Sequence, residues 1–389
     1  METPLYLDHA ATTPPLQVAL DAFNAAVETA YANPGSLHQA GAEAARVVER
    51  SRRTLQRAFG ASNYRVIWTA TGTEGNHLGI QGMARAVRGR FSGVTPRILV
   101  GAIEHPSSLA AAQALEAEGF VVELIPVDDH GMVTVEALAP LLDDSVALIT
   151  LQWANNEIGA LNPIEQLVSL ARNRAPKAIF HCDAVQAVGK CSTSLDELGA
   201  DCFAVAAHKL GGVRGCAAFL LREDSPAPIP LFVGGGHEDG LRSGTENTMG
   251  IAAFAVAAKA RRELMNVEPD FLHQRRATLL SGLLEQFPNL TVLGPTKESQ
   301  QLGAVLTVAL PSIRAETFLH LLESNGVYVG SGSACNTHGH SESAVLGAVN
   351  LDPDLRNSVL RISFSGYETD AELHRTVATF AKAAVDFLA

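Results

Sequence analysis

From Tyr64 to Leu221 the chain alternates between short unbroken apolar runs and longer stretches of helical periodicity. YRVIWTA, RILVGAIEH, VVELIPV, VALITLQWANN, KAIFHCDAV, CFAVAAHKL and GCAAFLL read as strands. GTEGNHLGIQGMARAV, SSLAAAQALEAEGF, TVEALAPLL and IEQLVSLARN read as helices between them. The strand runs lack an in–out alternation, which suits strands buried on both faces. Strand and helix taking turns in this way predicts an α/β fold, a mostly parallel sheet wrapped by helices. A helix over about Ser36–Phe59, stopped by Gly60, precedes the first of these strands.

The rhythm changes after GGGHEDGLRSGTEN. Helices are expected from about Thr248 to Asn266, near Phe271–Phe287 and over AETFLHLLES, with strands near GAVLTVAL and VLRISFS and a closing helix DAELHRTVATFAKAAVDFL. The pattern predicts a large α/β domain over 16–264 and a smaller α+β domain formed by 265–389 with residues 1–15.

Ligands of parallel sheets collect at the carboxyl ends of strands. The motifs TGTEGN, EHPSS, NNEIG, DAVQ and AHKLGG all fall there. Lys209 closes an apolar strand, where an ammonium is costly to bury. It suits a Schiff base with a carbonyl cofactor, or a lysine that reaches solvent or an acid. Asp183 suits a partner for a pyridinium nitrogen, or a structural ion pair. Gly72 and Thr73 open a helix, where backbone N–H groups favour a phosphate; alone, that motif is weak. His105 suits ring stacking and proton transfer, or a structural role. Asn155 and Asn156 offer amide donors, and Arg361 a planar fork for a carboxylate.

Composition narrows the function. The chain has 389 residues, 47% of them hydrophobic, enough for a large core. A net charge of −12 argues against a nucleic-acid surface. METPLYLDHAATTP lacks the basic-then-apolar pattern of a signal peptide, and no apolar run reaches membrane-spanning length, so a cytoplasmic protein without membrane contact is expected. The five cysteines are odd in number and irregularly spaced. Cys182, Cys191, Cys202 and Cys216 lie in or near apolar segments, as small buried hydrophobes do. Cys335 instead sits in the Gly- and Ser-rich stretch VYVGSGSACNTHGHSES. Cys335, His338 and His340 fall short of a zinc set, and no metal is expected.

Taken in order, YLDHAATTP, NPGSLH, GTEGNHLGI, EHPSSL, NNEIG, HCDAVQAVGK, HKLGG, GGGHEDGLRSGTEN, SGSAC and LRIS resemble the cysteine desulfurases, end to end. These are pyridoxal phosphate (PLP) enzymes of the class V aminotransferase type. The resemblance implies a PLP-dependent transferase of fold type I, with a seven-stranded-type sheet, acting as a homodimer. It implies Lys209 as the cofactor lysine, Asp183 at the pyridine nitrogen, Gln186 and Asn156 on the ring-oxygen side, and His105 stacked on the ring as proton donor or acceptor. Gly72, Thr73 and His208 would hold the phosphate, with Thr245 reaching it from a neighbouring subunit. Arg361 and Asn33 would grip the substrate carboxylate. The implied reaction converts L-cysteine to L-alanine, leaves the sulfur as a persulfide on Cys335, and passes it to an acceptor protein. SGSAC resembles the branch with a longer, mobile cysteine loop. One position departs from the family: the Ser or Thr expected three residues before the lysine is Ala206. Competing readings are a selenocysteine lyase or other class V enzyme, and a non-catalytic scaffold of the same fold.

Overall fold

The computed structural model describes residues 3–331 and 343–388. Cys335, His338 and His340 lie outside the described residues. The first strands are β1 (Leu5–Tyr6), β2 (Tyr64–Thr69), β3 (Arg97–Gly101), β4 (Val121–Ile125), β5 (Val146–Gln152), β6 (Ile179–Asp183), β7 (Cys202–Ala206) and β8 (Ala217–Arg222). All but β1 form one seven-stranded sheet in the order β2-β8-β7-β6-β5-β3-β4. Strands β3 to β7 run parallel. Strand β8 runs against both of its neighbours. The connection 207–216 is too short for a parallel crossover, which takes a dozen or more residues, so the chain must reverse there.

The central strands β5, β6 and β7 are buried along their whole length, as their unalternating apolar sequences require. Each expected strand is nevertheless shorter than its apolar run. In RILVGAIEH the strand stops at Gly101, and in VALITLQWANN at Gln152. The polar ends of both runs leave the sheet as loops on its carboxyl edge.

Helices α1 (Gln17–Thr29), α2 (Gln39–Phe59), α3 (Gly72–His77), α4 (Pro106–Gln113), α5 (Ile164–Arg174) and α6 (Thr248–Val267) cover this sheet. Helix α2 ends on Gly60 at φ 57°, a left-handed cap that glycine takes without strain. Helix α3 continues through a π turn at Leu78–Gly82 into Met83–Val87. Helix α1 was not expected from the pattern; it packs with α2 on the Ala-rich α6.

The remaining strands are β9 (Thr291–Leu293), β10 (Val305–Ala309), β11 (Val327–Tyr328), β12 (Gly330–Ser331) and β13 (Val359–Ser363). Four of them form an antiparallel sheet, β12-β13-β10-β9. Helices α7 (Phe271–Gln286), α8 (Ala315–Ser324) and α9 (Asp370–Leu388) belong to this part of the chain. The N-terminal segment joins it: β1 pairs in parallel with β11, and the Ala10 N–H donates to Ser363 Oγ at 2.8 Å. Residues 8–13 therefore lie between the small sheet and the Lys209 turn. No helix among the described residues is long and apolar enough to cross a membrane.

Candidate active site

A cavity of about 410 Å³ lies at the carboxyl edge of the large sheet. Gly72 and Thr73 come to it from the start of α3, His105 from the cap of α4, and Asn156 from the loop after β5. Asp183 is the last residue of β6, and Gln186 follows one turn later. His208 and Lys209 stand in the tight turn after β7, and Arg361 in the middle of β13. All nine line the same space. Asn33 and Thr245 do not. Asn33 is exposed and its Oδ1 accepts from Gly35 N at 2.8 Å; Thr245 is exposed beside Trp68 and Arg242. A larger cleft of about 690 Å³, lined by Trp153, Lys190, Cys191 and His273 among others, brings no such set together.

Most of the polar side chains are held. Lys209 Nζ donates to the carbonyls of Ala10 at 2.5 Å and Ala11 at 2.8 Å. Asp183 accepts from Asn76 Nδ2 at 2.7 Å and from Val185 N at 3.0 Å. Gln186 donates to Ala10 O at 2.9 Å and accepts from Lys190 Nζ at 3.2 Å, which fixes its amide. His208 Nδ1 meets Thr12 Oγ1 at 3.1 Å. Arg361 reaches Asp8 Oδ1 at 2.8 Å and Asn156 O at 3.1 Å. Its Nε is buried and has no partner among the described residues.

Position 72 favours glycine: a Cβ there would come within 2.9 Å of Val185 Cγ2 and push it aside, and would lie 3.6 Å from Ala206 Cβ. The same contact shows that residue 206 faces the start of α3. It has no hydroxyl to offer.

Burial, Lys209 and Arg214 together push the His208 imidazole down to about 4, so it is neutral near pH 7. His105 is also lowered, first by burial and then by Lys209, against the pull of Asp183. Burial, followed by Lys209 and Arg261, pushes Lys190 down to about 7. Glu104, beside His105, is raised well above its usual value by burial and by Asp183, against one hydrogen bond from Gln152 N. Two neighbouring acids thus sit in unlike settings. Asp183 has two donors and opens on the cavity; Glu104 is sealed away from it.

Pattern reading missed several of the residues that build this site. Asp8 orients Arg361, Thr12 meets His208, and Asn76 and Ser107 hold Asp183 and His105. All four stand inside the motifs YLDHAATTP, GTEGNHLGI and EHPSSL, so a signal existed at each position.

The chain matches the family model described as Aminotransferase class-V over residues 5–376. The cysteine desulfurase IscS of Dictyoglomus turgidum is 32% identical over 377 residues, 97% of this chain and 93% of that protein. The chain belongs to the cysteine desulfurases of the class V aminotransferase family. The cysteine desulfurase NifS of Azotobacter vinelandii is 32% identical over 374 residues, 96% of this chain and 90% of its own length. A solved structure described as a NifS-like protein superposes with a TM-score of 0.89 at 29% identity, covering 99% of this chain and 100% of that one. The fold is therefore that of the PLP-dependent class V enzymes, and PLP is the cofactor of this cysteine desulfurase.

The cavity suits PLP on its own terms. It offers an amine, a carboxylate, amide donors, hydroxyls and a glycine that lets backbone come close, in a volume proper to a small ligand. Arg361 adds a guanidinium to the cavity wall. Among the described residues no cluster of histidine, cysteine and acidic side chains could hold a metal ion.

Proposed function

We propose that this cysteine desulfurase moves the sulfur of L-cysteine onto Cys335 as a persulfide, releases L-alanine, and hands the sulfur to an acceptor protein. One observation carries the residue roles: a lysine, a carboxylate and a histidine from three strand ends and loops, and an arginine from the middle of β13, converge on one small cavity. When bound, PLP supplies an electrophilic carbonyl and a ring that stores the electron pair left by loss of the α-proton. Lys209 would hold the cofactor covalently and, once displaced by the substrate amine, take the α-proton. Asp183 would keep the ring nitrogen protonated. Asn156 and Gln186 would face the ring oxygen. Gly72, Thr73 and His208 would hold the phosphate, with Thr245 serving the site of a second copy. Arg361 would take the substrate carboxylate. The thiolate of Cys335 would then attack the substrate sulfur. A sulfur–sulfur bond forms, the carbon–sulfur bond breaks, and its electron pair stays with the carbon skeleton, which is protonated to alanine.

Tyr31, Leu37, Phe232 and Val233 are all more than half exposed, apolar surface that supports a homodimer. Cys182, Cys191, Cys202 and Cys216 are free thiols, which supports a reducing, cytoplasmic setting.

The test is direct. With L-cysteine and no reductant, the protein is expected to gain one sulfur on Cys335 for each alanine released. Cys335→Ala is expected to bind cysteine, seen as a change in the cofactor's absorbance, and to lose about 10²-fold or more of its sulfide yield. Full sulfide yield from that variant would refute the persulfide role.

Ala206 gives a second expectation. A hydroxyl at this position, facing the start of α3, would add one charge-assisted hydrogen bond to the phosphate. Ala206→Ser should slow PLP release about tenfold or more, measured by cofactor trapping with an apo acceptor enzyme. An unchanged release rate would show that the existing contacts already saturate the phosphate.

A further inference from the structure

Four side chains form a hydrogen-bonded line along the cavity wall, and their donors and acceptors can be assigned one by one. Asp183 Oδ2 lies 2.7 Å from Asn76 Nδ2, so the amide nitrogen must face the carboxylate. The same Nδ2 lies 3.0 Å from Ser107 Oγ and gives it the second N–H. This orientation leaves Asn76 Oδ1 buried with no hydrogen-bond partner among the described residues. The orphaned oxygen is the cost of directing both N–H groups at Asp183 and Ser107. Ser107 Oγ lies 2.7 Å from His105 Nδ1, and gives it the hydroxyl proton because Nδ1 is already the acceptor of a backbone N–H. The Ser107 backbone N–H donates to that same Nδ1 at 3.1 Å, because His105 caps α4.

We infer that Ser107 and Asn76 lock the tautomer of His105, holding Nδ1 as an acceptor and the proton on Nε2, so that His105 gives a hydrogen bond into the cavity and does not act as a base. Two donors converge on Nδ1. A proton arriving there would have to displace the hydroxyl hydrogen and oppose the backbone N–H. Neutral imidazole has no other basic site. The α-proton then falls to Lys209, and Ser107 and Asn76 become positioning residues. The charged and titratable groups around His105 are Asp183, which favours its protonation, Lys209, which opposes it, and the adjacent Glu104. Ser107 is buried and Asn76 is 1% exposed, so bulk water does not offer Nδ1 a substitute partner. This inference rests on the role proposed for His105 at the cofactor. It narrows the broader expectation of a proton donor or acceptor.

The experiment is ¹⁵N NMR of histidine-labelled holoenzyme, with the His105 signals assigned by their loss in His105→Gln. The native protein should show an unprotonated Nδ1 and a protonated Nε2, unchanged between about pH 6 and pH 8. Ser107→Ala removes the hydroxyl donor and leaves the backbone one. It should raise the proton affinity of the ring about tenfold, mix the two tautomers, and add an acidic limb to the pH dependence of kcat. Ser107→Thr keeps the hydroxyl and should restore the native signals. A protonated Nδ1 in the native protein, or Ser107→Ala signals identical to native, would overturn the lock. The NMR readout does not depend on turnover: a locked tautomer in a protein that forms no persulfide would sink the proposed activity and leave this inference standing.

Discussion

Lys209→Ala is expected to abolish turnover of L-cysteine, by more than about 10³-fold in kcat, while the protein stays folded. Lys209 is the one lysine among the described residues lining the cavity. Its turn does not depend on its side chain. Leu210 N and Gly212 N both donate to Ala207 O, at 3.0 Å and 2.9 Å, and Thr13 N donates to His208 O at 2.8 Å. What the ammonium holds is the pair of carbonyls at Ala10 and Ala11, on a half-buried edge that water can reach once the side chain is gone. The stability cost should be about 1 kcal/mol. The charge also acts outward, lowering both Lys190 and His208, so each should titrate at higher pH in the variant. Borohydride treatment followed by denaturation separates the outcomes. Native protein should keep cofactor on the peptide bearing Lys209, and the variant none. Lys209→Arg keeps the charge without the nucleophile and should be equally inactive. Retention of more than about a tenth of native turnover by either variant would refute the role of Lys209, since a proton-transfer group alone is worth 10²-fold or more.

The architecture was legible because the large sheet, its exposed edge strand β4 apart, is buried on both faces. Its strands then need unbroken apolar runs, and each run must end where the chain turns polar, so VALITLQ becoming WANN marks both a strand end and a cavity wall. Strand β8 was legible as a strand and not as a reversed one, since direction depends on the length of the connection and leaves no trace in the apolar pattern. Helix α1 was invisible for another reason: its buried residues are the small Ala19 and Ala26, packed against an Ala-rich neighbour, so the apolar stripe is thin. Strand β9, half-exposed and three residues long, is too short to show a period.

In the site, the end-of-strand position picked out Asp183 and Lys209, because a charge at the end of a buried run stands against its background. The supporting residues carried no such contrast. Asn76 sits within a helix and Ser107 within its first turn, where polar residues are ordinary. What sets them apart is the burial of their side chains against residues far along the chain, Asp183 among them. Only tertiary structure produces that.

Asp183→Asn should lose about 10²–10³-fold in kcat per bound cofactor, comparable to removal of one preorganised electrostatic group. Asn76 Nδ2 occupies one oxygen of the carboxylate and Val185 N the other, and both are donors. These neutral dipoles leave a largely buried acid in want of a cation. Asn76 is neutral, and the neighbouring Glu104 would only add to the negative charge if it ionised; burial and Asp183 hold it well above its usual range. Lys209 is spoken for by Ala10 and Ala11. The cavity side of Asp183 is thus built to receive a positive charge from a ligand, and a protonated ring nitrogen meets that need. An asparagine offers one oxygen where two donors require acceptors, so either Asn76 or Val185 loses its partner. That should lower stability by about 1–3 kcal/mol, visible as a fall in Tm that is independent of catalysis. Asp183→Glu keeps the charge but displaces it by one methylene, and should retain more activity than Asp183→Asn while straining the same two donors. Cofactor content must be measured alongside kcat, since weaker retention and weaker activation both reduce the rate of a purified sample. Full cofactor occupancy with kcat within about threefold of native would mean that the ring nitrogen is not held protonated by Asp183, and the carboxylate would then be a structural partner of Asn76.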